Sequence, residues 1–139
     1  MFRFLWDKKK NAEPESNTNE KKTGFYIKEL TPQLAADTQK QFDEWFRYCF
    51  SDYVIEKDVP ASRLDASAHP ACTPIQFLFI RDSRPVLAVV LVTQKNYRGK
   101  NVKGTQELCE KAGIRYIRFF IEYPNERDYV IDRVKSFLP

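Results

Sequence analysis

The 139-residue chain is poor in the residues that metal and disulfide sites require, with one histidine, three cysteines and one methionine. Cys49, Cys72 and Cys109 have no Cys-x-x-Cys spacing, and with His69 alone they exclude a Cys/His zinc cluster. An odd, unpatterned set of cysteines is typical of reduced thiols, so we expect a cytoplasmic protein. No apolar run approaches the roughly 20 residues that span a bilayer, which predicts no transmembrane segment.

The chain does contain enough apolar side chain for one hydrophobic core. Hydrophobic residues make up 42% of the sequence and aromatic residues 14%, and a chain of this length fits one domain. The net charge of +4 permits contact with nucleic acid or an anionic surface, but it identifies neither. Composition therefore leaves the class of partner open.

The N-terminal stretch differs in composition from the rest. Residues 7–23 hold no large apolar side chain, so we predict that residues 1–23 form a flexible tail and residues 24–139 a single domain. An apolar group precedes that stretch: Phe2, Phe4, Leu5 and Trp6. Two hypotheses stay open for it, contact with a partner or membrane surface and cover for the domain's own surface.

Hydrophobic periodicity divides residues 24–139 into helices and strands. Thr31-Pro32 is typical of an N-cap followed by proline at the first helical position. The helix that follows is predicted from an apolar stripe of Phe42, Trp45, Phe46, Cys49 and Phe50. Strands are predicted at 53–56, 75–80, 86–93 and 115–121, with a helix ending at Gly113 and another capped by Asn125. The order α-β-β-β-α-β-α predicts an α/β protein with a mixed central sheet flanked by helices, because a short turn joins antiparallel strands and a helix joins parallel ones.

Four short stretches in this layout carry a resemblance. They are residues 75–77 (IQF), 88–92 (AVVLV), 112–114 (AGI) and 116–119 (YIRF). In spacing and apolar pattern they resemble the VDF strand, AIELD strand, AGI helix end and LLRI strand of a bacterial domain family of unknown function. That family has a PD-(D/E)XK, or restriction-endonuclease-like, core. The resemblance covers roughly residues 38–138 and implies a nuclease-like fold.

The positions that would bind metal in such a nuclease are uncharged here. The resemblance places the family's aspartate on Gln76, its glutamate on Val90 and its second acidic or lysine position on Val92. Mg²⁺ prefers oxygen ligands, and one amide with two valines does not replace two carboxylates. The resemblance therefore implies degenerate catalytic positions, and we predict a non-catalytic pseudo-nuclease with no metal and no cofactor.

A relocated catalytic site is the least favoured hypothesis. Its candidates are Glu44 on the first helix, Glu56 on the first strand and Lys95 after the second central strand. The simpler interpretation assigns Glu44 to the solvated face of its helix and Glu56, with Asp58, to the cap of a strand end. Ser62, Asp65, Ser67 and His69 supply the residue types of a hydrolytic triad, but nothing in their spacing fixes a geometry, so they are interpreted as loop polarity.

A basic segment follows the second central strand. Lys95, Arg98, Lys100 and Lys103 lie within nine residues that contain no acid, and Tyr97 lies among them. Cations beside an aromatic ring suit a phosphate backbone and an unstacked base, so these five residues are the predicted contacts to DNA or RNA. The alternative is a solvated loop on a protein–protein interaction or structural module of undetermined oligomeric state.

Overall fold

The computed structural model describes residues 27–139, and the predicted tail with its apolar group Phe2–Trp6 lies outside the described residues. The described elements follow in the order α1 (Pro32–Cys49), β1 (Val54–Val59), a 3₁₀ turn (Ala61–Arg63), β2 (Ile75–Arg81), β3 (Arg84–Val92), α2 (Lys100–Lys111), β4 (Arg115–Phe120) and α3 (Arg127–Phe137). The predicted α/β class and mixed sheet are confirmed. No helix within residues 27–139 has the length and apolarity to cross a bilayer.

The four strands lie in the spatial order β1-β2-β3-β4. The pairs β1–β2 and β2–β3 are antiparallel, and β3–β4 is parallel, as expected where α2 makes the crossover. The turn between β2 and β3 is shorter than predicted, because Arg81 already pairs with Arg84. Its two central residues, Asp82 and Ser83, have φ values of 53° and 64°, the positive φ that a two-residue turn needs to match strand twist.

One face of the sheet, which we call the phenylalanine face, packs against α1 and α3. The Thr31 hydroxyl accepts the Leu34 N–H at 3.0 Å, which confirms the predicted N-cap of α1. Phe42 and Phe46 on α1 are fully buried, and the Phe46 ring lies edge-on to Phe77 of β2 at 5.0 Å. Burying each ring stabilises the fold by roughly 1.5–3 kcal/mol. The aromatic stripe in the sequence therefore forms a structural core.

The opposite face, which we call the valine face, packs against α2. Val90 and Val92 of β3 are fully buried there with Val102 and Cys109 of α2. Burial raises the pKa of the Cys109 thiol to about 11, with a smaller contribution from Glu110, so the thiol stays protonated. All three cysteines are free thiols.

A glycine sets how closely α2 approaches the segment that precedes β2. A Cβ atom at Gly104 would lie 2.9 Å from Cys72 Sγ, so any larger residue there would have to displace the Cys72 thiol. The hydroxyl of the next residue, Thr105, donates to the Thr73 carbonyl. These contacts fix the start of α2 against the domain.

Several local predictions were wrong. Helix α2 begins at Lys100, so the second half of the predicted basic loop is helical. Asn125 does not cap α3; Glu126 occupies the N-cap, and Asn125 Nδ2 donates to the Phe120 carbonyl at 2.9 Å. Strand β4 pairs with β3 alone within residues 27–139, so it is an edge strand of the described sheet, with Arg118 exposed.

Candidate nucleic-acid interface

The parallel pairing of β3 and β4 brings the segments that follow both strands to the same end of the sheet. The Ile121 N–H donates to the Val92 carbonyl at 2.8 Å, which extends the pairing past β4. The buried Glu122 carboxylate accepts the Gln94 N–H at 3.1 and 3.2 Å. These bonds hold the segment after β3 against the segment after β4.

The first half of the basic segment is a hydrogen-bonded turn. Asn96 Oδ1 accepts the Thr93 N–H at 2.8 Å, and the Thr93 hydroxyl accepts the Asn96 N–H at 3.1 Å. The Tyr97 N–H donates to the Thr93 carbonyl at 3.0 Å. Because side-chain and backbone bonds close this turn reciprocally, the Tyr97 ring and the neighbouring cations have a defined place on the surface.

An aromatic–arginine cluster, consisting of Tyr97, Arg98, Arg118, Phe120 and Tyr123, lies at this end of the sheet. The Tyr97 ring lies edge-on to Phe120 at 5.0 Å, and Phe120 stacks on Tyr123 at 4.6 Å. The guanidinium groups of Arg98 and Arg118 lie 5.2 and 5.3 Å from the centre of the Tyr97 ring. Such cation–π contacts contribute about 0.5–1 kcal/mol at exposed sites. They keep two cations beside three half-buried rings.

The two arginines of this cluster are exposed, as are three lysines within six residues of Tyr97. We call these five cations the basic patch: Lys95, Arg98, Lys100, Lys103 and Arg118. None of them forms an ion pair with a carboxylate of residues 27–139, whereas Asp43, Glu56 and Asp128 each pair with a lysine or arginine elsewhere. The patch therefore carries positive charge that the described part of the chain does not neutralise locally.

Two of these cations occupy an electrostatically unfavourable place. Lys100 and Lys103 lie in the first turn of α2, which holds no acidic residue, and the N-cap Gly99 has no side chain to accept a hydrogen bond. The helix dipole disfavours a cation there by about 0.3–1 kcal/mol. A bound anion would offset this cost, because it would interact with the lysines and with the free N–H groups of the turn.

The positions that would hold metal in the resembled nuclease lie elsewhere. Val90 and Val92 have no exposed surface, so neither solvent nor a metal ion reaches them. The half-buried Gln76 accepts the Leu91 N–H through Oε1 at 2.8 Å. Its amide thus bridges β2 and β3 beyond their last backbone pair, Phe77 with Val89. All three residues thus stabilise the sheet, and none of them supplies a carboxylate that could bind a metal ion.

The relocated-site candidates lie on separate elements. Glu44 is exposed on α1, and Glu56 on β1 accepts Arg63 at 2.8 Å. Lys95 follows β3, which β2 separates from β1 in the sheet. In the part of the chain that the structure describes, no three His, Cys, Asp or Glu residues form a group that could hold a metal.

The residue types of a hydrolytic triad form local turns. The Ser67 hydroxyl donates to Asp65 Oδ1 at 2.7 Å, and His69 Nδ1 accepts the Ala71 N–H at 3.0 Å. Hydrogen bonds from the side chain and backbone of Ser67 lower the pKa of Asp65. Asp65 and Ser67 therefore act as a turn motif.

Arg118, Phe120 and Tyr123 were not among the predicted site residues. The sequence feature that could have identified them is the helical crossover, which implies parallel strands whose carboxyl ends meet.

Comparison of the chain with protein-family models, with curated proteins and with solved structures finds no match. The interpretation of the interface thus rests on the chemistry of its own side chains.

Proposed function

We propose that this protein is a non-catalytic, pseudo-nuclease binding domain that contacts single-stranded nucleic acid through the basic patch and the aromatic–arginine cluster. The observation that carries the proposal is the set of five exposed cations without an ion-pair partner in residues 27–139, gathered around aromatic rings. Cations that track a phosphate backbone, combined with rings that stack on bases, are the common elements of single-strand binding.

Each part of the interface suits a different part of the nucleic acid. Lys100 and Lys103, with the free N–H groups of α2, suit a phosphate oxygen. The half-buried ring of Tyr97 offers a surface to an unstacked base, and Arg98 and Arg118 can stack as well as neutralise charge. Selection of a single strand follows from the rings, because the bases of a duplex are already stacked.

The non-catalytic part of the proposal is supported by the valine face. If the resemblance to a PD-(D/E)XK core holds, a metal-dependent nuclease of that kind would carry carboxylates at the positions of Val90 and Gln76. Here Val90 packs with Val102 and Cys109, and Gln76 bonds a backbone amide. Both positions serve the core, which favours a scaffold that binds without cleaving.

A second candidate function, a protein–protein interaction module, is favoured by one observation. Strand β4 has no neighbour on its outer side among the described residues, and such an edge can accept a strand from another protein. The two functions differ in their dependence on salt, because phosphate contacts release counterions whereas strand addition depends mainly on backbone hydrogen bonds.

The decisive experiment is a titration of a fluorescent oligothymidylate, followed by anisotropy at several salt concentrations. Replacing Lys95, Arg98, Lys100 and Lys103 by serine should weaken binding and flatten the slope of log affinity against log salt by roughly two to four units. The matched control replaces four exposed cations outside the patch by serine: Lys40, Arg84, Lys111 and Lys135. An equal effect in both variants, or no binding by the native chain at low salt, would refute the proposal.

The same samples test the absence of catalysis. With Mg²⁺ or Mn²⁺ added, single- and double-stranded DNA and RNA should remain intact on a denaturing gel. Metal-dependent cleavage that disappears in Glu44→Ala or Glu56→Ala would instead support a relocated site.

A further inference from the structure

A groove of about 510 Å³ extends from the aromatic–arginine cluster along the outer edge of β4, which has no neighbouring strand within residues 27–139. Arg118, Phe120 and Tyr123 of the cluster form part of its wall, and Tyr129 and Arg133 of α3 line it farther on. Among residues 27–139, its lining includes two arginines and no aspartate or glutamate. The groove therefore continues the electropositive surface of the basic patch toward α3.

We propose that this groove is the second half of the binding site and holds the nucleotides that follow those bound at the basic patch. The inference rests on the proposed function and specifies the path of the strand. Charge complementarity favours this occupant, because the groove offers Arg118 and Arg133 to phosphates with no carboxylate to repel them. Tyr129, which is 57% exposed, offers a ring for stacking.

A hydroxyl group in the groove wall also lacks a partner. Tyr116 Oη is buried and forms no hydrogen bond within residues 27–139. Burial raises the pKa of Tyr116 to about 12, against a smaller opposite effect of Arg118, so the hydroxyl stays protonated as a donor. A buried donor without an acceptor destabilises a fold by about 1–3 kcal/mol. Because this hydroxyl is buried, an oxygen of a ligand in the groove would reach it only after the Tyr116 side chain moves.

The length of β4 sets how much of a strand the groove can hold. Its six residues span about 20 Å at roughly 3.3 Å per residue. At about 3.4 Å per nucleotide of a stacked strand, this length corresponds to at most roughly six nucleotides. Affinity should therefore increase with oligonucleotide length until the groove is filled.

The test compares the affinity of the native chain with that of Tyr129→Ala and Arg133→Ser. Each is titrated with oligothymidylates of about 3 and about 12 nucleotides, which bracket the shorter known site sizes. Each variant should weaken binding of the longer oligonucleotide by at least roughly fivefold, the lower range for one stacked base, and leave the shorter one unchanged. Arg133→Lys, which keeps the charge, should recover most of the affinity. Matched controls are Tyr48→Ala on α1, where the side chain is 82% exposed, and Arg84→Ser in the hairpin turn.

The outcomes separate this inference from the proposed function. If both oligonucleotides bind equally well and only the basic patch variant weakens them, the proposed function stands and the groove assignment is wrong. If the native chain binds neither, both are wrong. If an extended acidic peptide binds the groove and protects the β4 amides from exchange while length has no effect, the groove is a strand-addition site and the inference is overturned.

Discussion

A tyrosine and an arginine pack together at both ends of the sheet with nearly the same geometry. At the hairpin end, Arg81 Nη1 donates to Tyr53 Oη at 3.1 Å and its guanidinium lies 5.2 Å from the Tyr53 ring. At the basic patch, Arg98 Nε donates to Tyr97 Oη at 2.9 Å and its guanidinium also lies 5.2 Å from the ring. The contact itself therefore does not distinguish a binding site from ordinary surface.

The two ends differ in the acids around this contact. The hydrogen bond and proximity of Tyr53 raise the pKa of Arg81, and the charges of Asp52 and Asp82 raise it further. In the sequence, Asp82 also lies between Arg81 and Arg84. Residues 95–103 contain no acid, and no cation of the basic patch forms an ion pair with a carboxylate in the described part of the chain. A run of cations without neighbouring acids, more than aromatic–cation packing, therefore distinguishes the candidate interface.

Placing acids in the basic patch should have the largest effect on binding. The double variant Lys100→Glu/Lys103→Glu should reduce oligonucleotide affinity by roughly 10- to 100-fold, because two phosphate contacts become repulsive. The same change should stabilise the protein by about 1 kcal/mol, since acids suit the first turn of a helix. Anisotropy and thermal unfolding measure the two effects on the same samples.

The matched control lies at the other end of the same helix. Lys111→Glu should leave binding within about twofold and should lower stability slightly, because an acid is disfavoured in the last turn of α2. A double variant that loses stability together with binding would indicate that Lys100 and Lys103 serve the fold.

A smaller effect is expected from the rings. Tyr97→Ala should weaken single-strand binding by about 1 kcal/mol, the lower end for one stacked base because Phe120 remains. It should affect duplex binding less, and Tyr97→Phe should keep most of the affinity. At the hairpin end, Tyr53→Phe removes the equivalent hydroxyl and should leave binding unchanged. Equal losses for single strands and duplex in Tyr97→Ala would contradict a stacking role.

The features that could be predicted from the sequence are those fixed by near neighbours. The Thr31 cap bonds an amide three residues away, and Phe42 and Phe46 are four residues apart on one helix face. Such patterns are encoded locally, so the α/β class and the mixed sheet could also be predicted. The start of α2 was not predicted, because its N-cap, Gly99, has no capping side chain to mark it.

The part of the interface that could not be predicted depends on strand register. Arg118 pairs opposite Val90, and Phe120 opposite Val92, across 28 residues of sequence. That register is set by packing of the whole sheet and decides which β4 side chains meet the Tyr97 turn. Sequence periodicity predicts that β4 is a strand, but it does not identify the residues that lie beside each of its side chains.

The most direct measurement is a chemical-shift map of the isotope-labelled chain during titration with an oligothymidylate of about 8 nucleotides, within the usual range of site sizes. Amide signals of residues 95–103, 118–123 and 129–133 should move in a salt-sensitive manner, while those of the hairpin residues 81–84 should stay in place. Shifts centred on the hairpin end, or no shifts at low salt, would contradict this prediction.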